Sequence, residues 1–126
     1  MFNKLEIVAA FARGGDRNKN YLLMAMAERS DGAVVISPNA LTKIPMYAAH
    51  AEARVLKKAD ANCILYVARV VRETGNWAMS KPCPRCQALI KARHVKKVYY
   101  TIEPNKYGVW NVKKNEWFEV TRTKIC

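Results

Sequence analysis

The segment Cys63–Val71 constrains most strongly what this chain can fold into. It is a nearly continuous apolar run with several β-branched residues, which predicts a strand buried on both faces. Helix-type sequences flank it: Ala48–Ala59 is rich in alanine, and a further helix can begin at Pro84, because proline suits the first helical turn. Strands that alternate with helices predict parallel crossovers, with the helices packed on a central sheet.

The rest of the chain extends this α/β pattern. We predict a first helix from Asn3 to about Ala12, ended by two glycines, and then strands at Tyr21–Glu28, Ala33–Ser37, Lys97–Ile102, Val109–Val112 and Trp117–Val120. The segment Glu103–Tyr107 is too short to hold a crossover helix, so the strands on either side of it should be antiparallel. There is no linker or repeat, and residues 1–126 are predicted to form one domain.

The formal net charge of +12 is concentrated in the second part of the chain. Residues 1–49 carry six basic and four acidic groups, whereas residues 50–126 carry sixteen basic and six acidic groups. Such an excess favours a polyanionic partner, because neutralising phosphates releases counterions, although a basic surface also serves solubility. A single-stranded nucleic acid is therefore one candidate partner.

Composition also bears on the compartment. No apolar stretch approaches the roughly 20 residues that a membrane span needs, and the N-terminus has no secretory cleavage pattern. We therefore expect a cytoplasmic protein without a membrane partner. A disulfide framework is not expected, and Cys63 is most simply a small core residue.

Two short motifs carry the chemistry, and each lies at a predicted helix start. They are His50-Ala51-Glu52 and Pro82-Cys83-Pro84-Arg85-Cys86. Cysteines three residues apart at a helix start face the same way, so both sulfurs can reach one ion. With His50 as a third ligand, the fourth position of a tetrahedral zinc ion is left for water, which is the arrangement of a catalytic site. Glu52 could then stand beside the metal and move the protons of that water.

Other interpretations of the cysteine pair remain open. Cys-Pro-Arg-Cys resembles a thioredoxin-like redox pair. A structural zinc site would need a fourth ligand, and Cys63, His94 and Cys126 have no suitable spacing to provide one. The two motifs together favour a catalytic zinc ion.

At these residues the sequence resembles the cytidine deaminase-like superfamily, whose signature joins His-x-Glu to Pro-Cys-x-x-Cys. The resemblance covers roughly residues 20–103. It implies a three-layer α/β/α fold with a central mixed five-stranded sheet, whose last two strands are antiparallel, and Zn²⁺ as cofactor. It also implies a hydrolytic deaminase in which activated water attacks C4 of cytosine in a nucleoside or nucleotide, with Glu52 as proton shuttle.

The resemblance leaves the substrate and the assembly open. A cytosine or adenine in single-stranded DNA or RNA, including tRNA, is an alternative substrate, and a non-catalytic nucleic-acid-binding relative is a further possibility. The antiparallel tail is similar to the branch that acts on free nucleosides. Small members of the superfamily often pair or form tetramers, so we expect a homo-oligomer.

The resemblance also implies residues that bind the substrate. Asn39 matches a position that contacts the sugar and base, and the backbone at Ala51 and Lys81 should line the base pocket. Trp77 and Tyr47 are candidates for stacking on a base, although core packing explains an aromatic residue at either position equally well.

Overall fold

A computed structural model of the chain describes residues 2–14, 21–38 and 55–122. Two helices lie wholly within these residues, α1 (Phe2–Arg13) and α2 (Pro84–Ala92). The strands of the same part are β1 (Tyr21–Glu28), β2 (Val34–Pro38), β3 (Ile64–Val71), β4 (Trp77–Ala78), β5 (Lys97–Glu103), β6 (Lys106–Asn111) and β7 (Glu116–Thr121). The predicted elements in this part are therefore present, with ends shifted by a few residues.

All seven strands of the described part belong to one mixed sheet: six follow the order β2-β1-β3-β5-β6-β7, and β4 pairs with β3 outside this order. β3 and β5 are parallel and are connected through α2, while the neighbours β5 and β6 are antiparallel, as the short connection predicts. The sheet has seven strands rather than the predicted five. Both strands of the terminal hairpin, β6 and β7, extend the sheet. The two-residue β4 pairs with the end of β3, and this pairing is too short to produce a pattern in the sequence.

Apolar residues that alternate along β3 supply cores on both faces of the sheet. On one face, Tyr66 and Ala68 belong to a cluster with α1 residues Leu5 and Val8. On the other face, Leu65 and Val67 lie in a cluster that contains Ile90 of α2 and the helical residues Val55 and Leu56. Because a strand exposes successive side chains on opposite faces, this division places helices on both sides of the sheet. The three-layer α/β/α arrangement is confirmed.

The predicted helix Ala48–Ala59 is described only at its end. Residues 48–54 lie outside the described part, and the helix ends after Leu56, earlier than predicted. Lys58 donates its backbone N–H to the carbonyl oxygen of Val55 over 3.0 Å, and Arg29 donates to the Lys58 carbonyl at the same distance. These bonds turn the chain towards β3. Among the described residues, no helix combines the length and apolar character needed to cross a bilayer.

Gly108 lies where a side chain would collide with a buried ring. It pairs with Tyr100 across β5 and β6, and a Cβ added at Gly108 would stand 2.1 Å from Cζ of that tyrosine. Tyr100 is buried and meets Trp117 edge-on, with ring centroids 6.0 Å apart. The ring therefore fills the space that glycine leaves open on this face of the sheet.

We expect Gly108→Ala to lower the free energy of unfolding by about 1–3 kcal/mol, because overpacking forces neighbouring groups to shift. Urea unfolding of the variant measures the change. Gly14→Ala is the matched control, since among the described residues its added Cβ would approach no atom more closely than the carbonyl oxygen of Phe11 at 3.6 Å. Equal stability of Gly108→Ala and the parent chain would contradict this packing.

Candidate functional site

The cysteine motif forms the start of helix α2. Cys83 is the N-cap residue in extended conformation, with φ −68° and ψ 163°, and Pro84 follows in the first turn. The backbone N–H of Gln87 donates to the carbonyl oxygen of Cys83, and its side-chain amide donates to that of Pro82, both over 2.8 Å. Cys86 is fully buried, whereas Cys83 is partly exposed. The predicted helix start is confirmed, and it places both thiols in the first turn.

This helix start lies at the carboxyl ends of the parallel strands. β3 and β5 pair from Ile64 to Val67, but further along β3 the residues Arg69 and Val70 pair with β4 instead. The two parallel strands therefore separate at their carboxyl ends, and the chain passes from β4 into α2 at this point. In open α/β sheets, ligands bind in the crevice outside these strand ends.

Two buried hydroxyl groups hold the chain where the strands separate. The Thr101 hydroxyl on β5 accepts the backbone N–H of Arg69 over 3.0 Å and donates to the carbonyl oxygen of Ala78 over 2.8 Å. Ser80 donates its backbone N–H to the Thr101 carbonyl over 2.9 Å, and its hydroxyl lies 3.0 Å from the carbonyl oxygen of Val67. These bonds connect β3, β4 and β5 directly before Cys83, and they fix the approach to the cysteine helix.

We expect Thr101→Val, which keeps the shape but removes the hydroxyl, to lower the free energy of unfolding by about 1–3 kcal/mol, since buried polar groups are left without partners. Chemical denaturation measures this free energy of unfolding. Thr74→Val is the control, because its hydroxyl accepts one N–H, from Asn76, in an exposed turn. A decrease in the free energy of unfolding no larger than that of the control would show that the Thr101 hydroxyl does not hold this segment.

Arg69 is a charged residue near the site that the motifs do not predict. Alternation along β3 places it on the same face as Leu65 and Val67, the face that α2 covers. Its guanidinium donates to the carbonyl oxygen of Met79 over 3.4 Å. A single arginine inside an otherwise apolar strand is the sequence feature that could have indicated a charged residue near the site. Its cation lies beside the segment that leads into Cys83.

Lys81 links the same segment to the terminal hairpin. The side chain is exposed, and its ammonium group stands 4.5 Å from the ring centroid of Trp117 on β7. Trp117 stacks face to face on the buried Trp110, with centroids 4.5 Å apart. A cation over an indole ring is attracted by its quadrupole, so the hairpin helps to position the approach to α2. The predicted role of the Lys81 backbone in the base pocket stays a prediction.

Trp77 lies on the other face of the sheet. It is only 9% exposed, its indole N–H donates to the Glu6 carboxylate over 2.9 Å, and its ring stacks on Phe2 of α1. These contacts belong to the α1 core, whereas α2 covers the opposite face. Core packing accounts for the burial of Trp77, and stacking on a base stays a prediction.

Cys63 behaves as the core residue that the sequence predicts. It is fully buried in the cluster that also holds Ile90. Burial raises the pKa of its thiol, because the thiolate is poorly solvated there, and Asp60 adds a smaller effect in the same direction. Cys63 is therefore held in the neutral form, which is not the form that binds metal.

The other predicted site residues cannot be placed. His50, Glu52, Asn39, Tyr47 and Ala51 lie outside the described residues, as does Cys126. Within residues 2–14, 21–38 and 55–122, no group of three or more histidine, cysteine or acidic side chains converges. Of the three predicted zinc ligands, the described part holds Cys83 and Cys86, both in the first turn of α2; that they bind zinc stays a prediction.

Comparison with known proteins finds its matches among solved structures. No family model matches the chain, and no curated protein sequence matches it. A crystal structure of cytidine deaminase from Mycobacterium tuberculosis matches with a TM-score of 0.55 and 19% identity, covering 82% of this chain and 88% of that one. A glutamate-to-glutamine variant of the same enzyme matches with a TM-score of 0.54 and 20% identity, covering 82% and 89%. The chain has the cytidine deaminase-like fold.

Proposed function

We propose that this chain is a zinc-dependent hydrolytic deaminase that acts on the cytosine base of a nucleoside or nucleotide. One observation carries the proposal: Pro82-Cys83-Pro84-Arg85-Cys86 begins a helix at the carboxyl ends of the parallel strands. It does so within the fold of a cytidine deaminase. A cysteine pair with this spacing and at this place suits a metal site at the ligand crevice of the sheet.

The side chains proposed as metal ligands are of types that bind zinc. The thiols of Cys83 and Cys86 both belong to the first turn of α2, and cysteine sulfur is a ligand that zinc prefers. His50 is the proposed third ligand. Val55 lies three residues after Glu52 and packs in the same apolar cluster as Ile90 of α2. The residues that follow the histidine motif therefore pack in the same core as α2, which supports a site shared by the two motifs.

In the proposed mechanism, His50, Cys83 and Cys86 would hold zinc, which would supply a nucleophile by lowering the pKa of a water molecule towards neutrality. Glu52 would accept a proton from the attacking water as the water oxygen bonds to C4 of cytosine, and it would deliver that proton to N3 of the ring. Glu52 then transfers the remaining proton from the added oxygen to the amino group. The C4–N bond breaks, ammonia leaves, and the product carries a carbonyl at C4 and a hydrogen on N3.

The proposed substrate contacts are those that the resemblance to cytidine deaminases implies. Asn39 would contact the sugar and base, and the backbone of Ala51 and Lys81 would line the base pocket. Tyr47 is the aromatic candidate for stacking on the base. Of these, Lys81 lies in the described part, two residues before Cys83, where its side chain contacts Trp117.

An ammonia-release screen tests the proposed function. Zinc-loaded protein is incubated with cytosine and adenine nucleosides, their nucleotides and single-stranded oligomers. We expect release from a cytosine nucleoside or nucleotide, and loss of release after zinc is removed with a chelator. Absence of release from every substrate in the zinc-loaded protein would overturn the proposal.

A base in a single strand is the second candidate substrate, and the charge of residues 50–126 favours it. Salt dependence separates the two candidates. Binding of a polyanion weakens steeply as salt rises, because counterions are no longer released favourably, whereas turnover of a nucleoside should change little.

A further inference from the structure

A basic cleft lies at the other end of α2, away from the cysteines. Its volume is about 510 Å³, and it opens between the end of α2, the start of β5 and the turn between β6 and β7. Its lining includes five lysines: Lys91, Lys96, Lys97, Lys113 and Lys114. The volume lies within the range of about 300–1,000 Å³ that is usual for small-molecule sites.

The described lining of this cleft offers no carboxylate to balance its positive charge. The ion pairs found in the described part use Lys4, Lys106 and arginines, and none of the five cleft lysines takes part. Like charges around one concave surface repel each other and raise the local concentration of anions.

The helix dipole accounts for only a part of this cluster. Lys91 lies in the last turn of α2, where a cation is favourable. Lys96 and Lys97 belong to the connection into β5, and Lys113 and Lys114 belong to the turn after β6, so they do not cap that helix. Three separate segments therefore bring cations to one cavity.

The backbone that carries these lysines is fixed by hydrogen bonds. Asn62 donates its N–H to the His94 carbonyl over 2.8 Å, and Lys96 donates to that of Cys63 over 2.9 Å. Lys114 donates its N–H to the side chain of Asn111 over 3.3 Å. Beneath the cations, Val95 and Val112 give the cleft an apolar floor. The cleft is therefore formed before any ligand arrives, which limits the ordering cost of binding.

We propose that this cleft binds a ligand through two or more closely spaced phosphate groups. Lysine ammonium groups bind phosphates as point charges, and several of them around one cavity can neutralise a multiply charged anion. The nine residues of α2 span about 13 Å, so the cleft is a site separate from the cysteine end of the helix. The proposal does not depend on the proposed deaminase activity.

Calorimetric titration of the full chain tests the cleft with two probes. Tripolyphosphate represents a free phosphate chain, and a short single-stranded oligonucleotide represents a phosphodiester backbone. Binding of tripolyphosphate alone identifies a free polyphosphate or nucleotide as the source of the phosphates, and tighter binding of the oligonucleotide identifies a nucleic-acid strand. Absence of binding by both probes at physiological salt would overturn the proposal.

A charge-reversal pair assigns the binding to the cleft. The double variant Lys96→Glu with Lys113→Glu should bind the probe with at least tenfold lower affinity than the parent chain. The control, Lys57→Glu with Lys58→Glu, changes the net charge by the same amount at exposed lysines that do not line the cleft. Zinc chelation by tripolyphosphate would affect both variants equally. Equal weakening by the two pairs would show a general charge effect and contradict the proposed site. Thermal unfolding without probe checks that both variants fold.

Discussion

Glu52→Ala is expected to keep its bound zinc while ammonia release falls by about 10²–10⁴-fold, which is the usual contribution of a positioned proton-transfer group. The carboxylate in the proposed mechanism moves two protons but does not bind the metal. Its removal therefore slows the chemistry without removing a ligand. Steady-state ammonia release and zinc content per chain, measured on one preparation, check the two parts of this prediction.

Glu73→Ala is the matched control for this experiment. Glu73 lies in the exposed turn after β3, so its loss should leave both turnover and zinc content unchanged. Glu52→Gln adds a variant of the same size that cannot accept a proton, and it should be as inactive as the alanine variant. Undiminished turnover in Glu52→Ala would remove Glu52 from the mechanism, and loss of zinc would make it a ligand instead.

Cys86→Ser is expected to lose most of its zinc and to unfold at a lower temperature. Cys86 is buried in the first turn of α2, and serine cannot supply the thiolate that binds zinc strongly. A metal that binds only the folded chain stabilises it, so loss of the ligand also removes that stabilisation. Zinc content by elemental analysis and the change in Tm on adding zinc measure the two effects.

Cys63→Ser separates loss of metal from loss of packing. Cys63 is as deeply buried as Cys86, but it lies in the core, where burial raises its pKa. We expect this variant to be less stable than the parent chain and yet to keep one zinc ion. Retention of zinc by Cys86→Ser, or equal loss from both variants, would contradict the proposed ligand set.

Much of the fold follows from local patterns. Three local patterns predicted elements that the structure contains. The apolar run predicted β3, the proline predicted the start of α2, and the short connection after β5 predicted an antiparallel pair. The count of five strands that the resemblance implies was wrong because both strands of the terminal hairpin join the sheet, and because β4 has two residues and depends on its pairing with Arg69 and Val70. Such pairing is a property of the assembled sheet and has no periodicity of its own.

The surroundings of the site depend on contacts between residues that are distant in sequence. Thr101 and Ser80 meet only because β5 and the chain after β4 lie side by side, and Lys81 reaches Trp117 only because the hairpin extends the sheet. Spacing alone was enough to bring Cys83 and Cys86 together, since both belong to one helical turn. The face on which Trp77 lies could not be predicted, because a two-residue strand does not reveal its own orientation.

X-ray absorption at the zinc edge is the most direct test of the proposed metal site. Zinc-loaded protein should show two sulfur neighbours at about 2.3 Å and two nitrogen or oxygen neighbours at about 2.0–2.1 Å, from Cys83, Cys86, His50 and water. The His50→Ala variant should lose the nitrogen contribution of an imidazole ring. A shell of four sulfur atoms, or a shell without sulfur, would contradict the account.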